Sequence, residues 1–184
     1  MTKITQAVVS GETPPRSLAP NAVHLVRTQV LATLQLSQMA DQKASILMGA
    51  NFLVFTLAVG QLRAGGFVLP LIVLALFAFA AAVLSILAVL PKVRRTTSVG
   101  PDDNILFFGV FTALSEREFA DRVIAELGTD EAAYRLMLRD VYQNGQVLQT
   151  KKYRYLGWAY RTFLTGLVVT LVASGAEYAA GLLP

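Results

Sequence analysis

Three stretches of the chain lack the alternation of polar and apolar positions that a water-facing segment requires. No residue from Ala44 to Leu62 carries a charge, and none does from Gly66 to Leu90. Each run is long enough for a helix to cross a bilayer. Pro70 falls near the start of the second run, where a helix tolerates it, and Ala64-Gly65-Gly66 leaves room only for a short turn. A third, weaker run is charge-free only from Thr162 to Ala176, about 22 Å at helical rise. Extended to 156–178 it becomes long enough, with Arg161 reaching out to the interface and Tyr153, Tyr155, Trp158 and Tyr160 forming an aromatic belt.

Outside these runs the pattern is amphipathic. From Asn21, Val23, Val26, Val30 and Leu34 recur at spacings of three and four, with Arg27, Gln29, Gln35 and Gln38 on the other faces. This predicts a helix over 21–43 that feeds without a breaker into the first span at 44–63. After the second span (66–90), Thr96 to Asn104 reads as a loop with a turn at Gly100-Pro101-Asp102-Asp103. Ile105-Leu106-Phe107-Phe108-Gly109-Val110-Phe111 is too short to span, and reads as a strand or a tucked plug. Ser115-Glu116-Arg117-Glu118 is a capping box for a helix ending near Gly128. Thr129 or Asp130 caps the next helix, with Ala133, Met137, Val141, Val147 and Leu148 on one side and Gly145 as its weak point. The expected fold is therefore an all-α membrane protein with three spans. Its cytosolic domain (91–155, with 21–43) comprises the extensions of the first and last spans, packed antiparallel, and the Ser115–Leu127 helix covering them. Residues 1–20 read as a loose arm.

Composition agrees. Of 184 residues 54% are hydrophobic and 15% charged, too apolar for an ordinary soluble domain. There is no cysteine and a single histidine, His24, which removes disulfide and thiol chemistry and most zinc sites and triads. The first forty residues have no apolar core followed by a cleavage site, so no cleaved leader is expected. Charge sets the orientation. Of 16 basic residues only Arg63 falls on the side opposite the rest, so the positive-inside rule puts the amino terminus and the 91–155 region in the cytosol and the carboxyl terminus outside. Basic and acidic residues are nearly balanced between Lys92 and Arg161, which describes a soluble domain and not a nucleic-acid footprint.

Few positions carry candidate chemistry. Asp41 and Lys43 stand at the mouth of the first span: either they anchor it at the interface, or they face a cleft where Lys43 meets a phosphate and Asp41 a base or ribose donor. Asn51 lies about two turns deeper. An amide in hydrocarbon needs a partner, so it is interhelical glue or lines a pore. Ala78 and Ala82, Ala81 and Ser85, and Gly166, Thr170 and Ser174 are small residues at four-residue spacing, suited to close helix packing. Lys151, Lys152 and Arg154 with the neighbouring tyrosines form a basic-aromatic cluster, either a surface for anionic lipid or a site for a small phosphorylated ligand. Tyr142 and Asn144 lie two turns earlier. There is no Walker-type loop, metal cluster or catalytic triad, so no catalytic residue, metal or cofactor is expected.

Leu36-Ser37-Gln38-Met39-Ala40-Asp41-Gln42-Lys43-Ala44 entering a first span resembles the Pycsar transmembrane effector family. So do Asn104-Ile105-Leu106-Phe107-Phe108-Gly109 ahead of Leu114-Ser115, and Lys152-Tyr153-Arg154-Tyr155-Leu156-Gly157-Trp158-Ala159 ahead of the last span. The resemblance covers nearly all of Gln29 to Leu171 in the same order. It implies a bacterial anti-phage effector at the inner membrane: a partner cyclase makes cUMP or cCMP, and the effector binds it and impairs the membrane, stopping the infected cell. Asp41, Lys43, Asn104, Lys152 and Tyr153 are the matching positions offered as ligand-binding candidates, and Asn51 as the membrane-gating candidate. Because three spans do not readily enclose a water path, a homo-oligomer is expected. The alternatives are a membrane scaffold whose cytosolic helices dock a partner, and a small channel component without nucleotide gating.

Overall fold

A computed structural model describes residues 19–64, 68–90, 99–100 and 103–181. The expected arm over 1–18, most of the turn between the first two spans, the basic residues after Pro91 and the Pro101-Asp102 part of the expected turn lie outside the described residues. Within them every regular element is helical: α1 (Ala22–Arg63), α2 (Val68–Val89), a single turn α3 (Phe108–Phe111), α4 (Glu116–Glu126), α5 (Asp130–Val147), a π-helical segment (Leu148–Tyr153) and α6 (Arg154–Ala179). By length and composition three helices are able to cross a membrane: α1, α2, and the helix running unbroken from Asp130 to Ala179. Gly145 does not interrupt that last helix.

The chain divides into two compact units. One is drawn from Met1–Leu31 and Arg95–Val141, the other from Ala32–Arg94 and Tyr142–Pro184. The second is the membrane bundle. Ala44 and Leu47 of α1, Ala88 of α2, and Leu156 and Ala159 of α6 form its buried cluster, with Leu84, Tyr155 and Phe163 packed against it. Outward-facing residues are large and apolar, among them Ile46, Phe52, Leu76, Val168 and Leu171. A lipid-embedded bundle is built this way. Lipid offers no hydrophobic drive between helices, so small residues face inward where backbones approach closely, and bulky ones face the acyl chains. Gly166 shows how close the approach is: a Cβ built there would lie 2.3 Å from Phe77 Cβ on α2. The small-residue series of the second span is buried through Ala78, Ala81, Ala82 and Ser85.

Along α1 the buried and half-buried positions follow a heptad seam from Val26 through Val30, Thr33, Ser37, Ala40, Ala44, Leu47, Asn51 and Val54 to Ala58. Alternating steps of four and three over so many turns make this the inward stripe of a left-handed supercoil. It differs from the expected stripe. Val26 and Val30 belong to it, whereas Val23 and Leu34 are 41% and 51% exposed. The seam past Val30 uses small and hydroxylated residues, which an apolar count does not register. The two extensions also correct the expectation of antiparallel packing. Lys152 meets Ser37 and Asp41, while Leu156 and Ala159 share a cluster with Ala44 and Leu47, so α1 and the last helix ascend together. Two helices entering a membrane from one side, with a returning span between them in sequence, must run parallel.

In the other unit, the 105–111 run is no strand. Ile105 and Leu106 form a turn and Phe108–Phe111 one helical turn, with Ile105 and Val110 buried as a plug. A run this short alternates too little to hold a strand register and has no partner strand among the described residues. The capping box is present as expected: Ser115 Oγ accepts from the Glu118 backbone N–H, and the Glu118 carboxylate accepts from the Ser115 N–H at 2.9 Å. Those bonds hold the Glu118 carboxyl below its ordinary range, the backbone bond contributing most. Phe111 stacks on Phe119 at 5.2 Å between ring centres, joining α3 to α4. Thr129 Oγ1 caps α5 through the Ala132 N–H. Leu136 is the buried residue of α5, a position the expected Ala133–Leu148 face did not include, and Val147, expected on that face, is 51% exposed.

Candidate functional site

Helix hydrogen bonding changes pitch over Leu148–Tyr153, the stretch that holds Lys151 and Lys152. A π segment inserts an extra residue into the helical register, and such insertions are frequent where a helix must aim particular side chains. Here it aims both lysines inward. The Lys152 ammonium donates to Asp41 Oδ2 at 2.6 Å and to Ser37 Oγ at 2.7 Å, one turn apart on α1. Lys151 donates to the carbonyl of Leu90, just past the end of α2, a backbone group left without an intrahelical donor. Two adjacent lysines thus tie the ends of all three spans. The ion pair is partly sheltered, the Lys152 side chain being 20% and that of Asp41 38% exposed.

Of the sequence candidates, Asp41 and Lys152 are therefore brought together, with Ser37, unmarked beyond its place in the Leu36–Ala44 motif, as a third member. Lys43 and Tyr153, next to them in sequence, point outward and are exposed. Arg154 lies over the Tyr155 ring at 5.7 Å, and Trp158 and Tyr160 are exposed, as an aromatic belt requires. Asn104 belongs to the other unit and is 3% exposed. Its amide donates to Asp140 Oδ1 at 2.9 Å and its carbonyl oxygen accepts from the Leu106 N–H at 3.0 Å. Both ends are committed to pinning the plug to α5.

Asn51 is fully buried on the α1 seam. Its Nδ2 donates to the Leu47 carbonyl at 2.8 Å, and its Oδ1 has no partner in the bundle. Ser85 is equally buried, and its hydroxyl is returned to the Ala81 carbonyl at 2.9 Å. Back-bonding of this kind satisfies a donor inside a span without a neighbouring helix. An unpaired amide oxygen remains an open acceptor in an apolar setting.

The unit formed from Met1–Leu31 and Arg95–Val141 holds a cleft of about 330 Å³ lined by Val99, Gly100, Asp103, Arg122, Glu126 and Arg139, over a floor that includes Ile105 and Leu136. Arg122 also donates to the Val99 carbonyl at 3.4 Å, and Asp103 Oδ2 accepts from the Gly100 N–H at 2.7 Å. No motif singled out these arginines. The signal available was spacing: Arg122, Ala125 and Glu126 share one face of α4, and Leu136 and Arg139 one face of α5. Among the described residues no group of histidine, cysteine or carboxylate side chains is placed to hold a metal ion.

These features define a helical membrane protein of three spans, tied at one end by a lysine clasp and carrying a further helical unit. The family follows from the sequence as a whole. Residues 24–177 match the PycTM family model, described as the Pycsar effector protein domain, and the chain belongs to that family. No curated protein and no solved structure matches it. The family is one of antiviral effectors paired with a cyclase, and the three long apolar helices agree with a seat in the membrane.

Proposed function

We propose that this protein is a nucleotide-gated membrane effector. It binds a cyclic pyrimidine mononucleotide, cUMP or cCMP, made by a partner cyclase, and then impairs the inner membrane of the infected bacterium. The observation that carries this reading is the clasp: in a chain of this family, Lys152, Asp41 and Ser37 fasten together two spanning helices that also contribute residues to the unit drawn from Met1–Leu31 and Arg95–Val141. Positive-inside charge puts this end and that unit in the cytosol, where the messenger is made, and the carboxyl terminus outside. Because α1 and the Asp130–Ala179 helix each contribute to both units, a ligand that favours one arrangement of the cytosolic helices shifts the population of span arrangements. Asp41 and Lys152 act in this reading as a latch, with Lys43 and Tyr153 as its exposed neighbours. Asn51, with its open acceptor, is the gating position. Several copies assemble, since three spans enclose no water path alone. No catalysis is involved.

The test is reconstitution of the full chain in liposomes loaded with a self-quenching dye. Release on adding cUMP or cCMP, but not on adding cAMP, is the expected result. Release that ignores all three nucleotides would favour an ungated channel component, and no release with intact nucleotide binding would favour a scaffold.

A further inference from the structure

We infer that the cleft between Arg122 and Arg139 is the nucleotide site, and that its balance of charges selects a monoanionic phosphodiester over nucleotides with a terminal phosphate. The inference rests on the proposed nucleotide-gated function and assigns its location. Three parts of the unit converge on the cleft: Val99, Gly100, Asp103 and Ile105, one face of α4 and one face of α5. Its volume of about 330 Å³ lies at the small end of ligand sites, suited to one pyrimidine ring with its ribose and phosphate. Guanidinium groups from two different helices are the side chains best shaped for phosphate oxygens. Ile105 and Leu136, 6% and 8% exposed, give an apolar floor for a ring. Asp103 and Glu126 supply acceptors for a ribose hydroxyl or a base N–H.

The lining carries two guanidiniums and two carboxylates, so it is formally neutral. A basic-only cleft would hold a triphosphate most tightly. Here each extra negative charge enters a lining that also carries the Asp103 and Glu126 carboxylates, and like charges in one site discriminate against the wrong partner. A cyclic phosphate carries one charge. UMP near neutral pH carries close to two, and UTP more. The cleft therefore reads the number of charges on the ligand, which separates the messenger from the abundant nucleotides that share its base.

Calorimetry on the detergent-purified full chain tests this, with cUMP, cCMP, UMP and the soluble lipid headgroup glycerophosphoglycerol as probes. Arg122→Gln and Arg139→Gln are each expected to weaken cyclic-nucleotide binding about tenfold, as loss of a charge-assisted bond does, with unchanged helical content. Glu126→Gln is expected to strengthen UMP binding severalfold while leaving the cyclic nucleotide within about twofold, a gain that misfolding does not produce. Wild-type binding that both arginine variants retain overturns the site and leaves the proposed function standing. Absence of wild-type binding to either cyclic nucleotide, in folded protein, overturns both. Arginine-dependent binding of glycerophosphoglycerol as tight as that of the nucleotides overturns the assignment to a nucleotide in favour of a lipid headgroup.

Discussion

Replacing Asp41 by Asn keeps an oxygen that accepts from Lys152 and removes only the charge. Solvent-exposed ion pairs contribute about 0.2–1 kcal/mol. Because Lys152 is only 20% and Asp41 38% exposed, and because Lys152 bonds Ser37 as well, the pair belongs near the top of that range. About 1 kcal/mol multiplies the ratio of unlatched to latched protein about fivefold. In cells expressing the effector without its cyclase, Asp41→Asn is expected to raise basal depolarisation, read with a potential-sensitive dye, and to lower the nucleotide concentration for half-maximal response about fivefold. Lys152→Met acts in the same direction and more strongly, because it also strands the Asp41 carboxylate. The exchange of charges, Asp41→Lys with Lys152→Asp, restores the latch in part. The reasoning fails if Asp41→Asn at equal expression matches wild type in both readings, or if the exchanged pair is no better than the singles.

Gly166→Ala is expected to destabilise the bundle by about 1–3 kcal/mol in denaturant titration in micelles, since the new methyl group meets the Phe77 Cβ at 2.3 Å and overpacking of a tight contact costs about that much; Phe77→Gly in the same chain should absorb most of the effect, and Phe77→Ala, which keeps the Cβ, little. Asn51→Leu should leave folding unchanged or improve it by about 1 kcal/mol, because it removes an unpaired buried amide oxygen, yet abolish nucleotide-triggered dye release; unaltered release would make Asn51 a packing residue only. Glu118, whose carboxyl is lowered by its capping bonds, stabilises the start of α4 fully above its unfolded pKa and loses that contribution as pH falls through the lower folded value. Protection of the first turn of α4, taken as the exchange rate relative to the unfolded chain at the same pH, should therefore fall in acid in wild type, and be low at every pH in Glu118→Ala, which has no acceptor for the Ser115 N–H.

Legibility of the fold in the sequence divides along physical lines. Uncharged length marks the spans because a bilayer has a fixed thickness, and Ser115 with Glu118 marks a helix start because its donors need a local acceptor. Both signals are local. The α1 seam was half visible: Val26 and Val30 were found by hydrophobicity, but Thr33, Ser37 and Ala40 are buried for their size. The plug at 105–111 was readable as apolar and not as helical, since one turn has no period. At the site, Asp41 and Lys152 were each notable as charges at a membrane mouth. Their pairing is a contact across 111 positions, and nothing in either neighbourhood specifies the other. Ser37, Arg122 and Arg139 are ordinary in sequence and become notable only by what faces them.

The π segment at Leu148–Tyr153 also stores a rotation. Its hydrogen bonds span one residue more than those of the α-helices it joins. Tightening it to α would turn everything beyond it by one residue's share of a helical circle, about 100°. Gly166 would leave its place against Phe77 and a bulkier neighbour would arrive there, while Lys152 would swing away from Asp41. One slipped hydrogen-bond register would thus release the clasp and wedge the spans apart together, like a key turned in its lock.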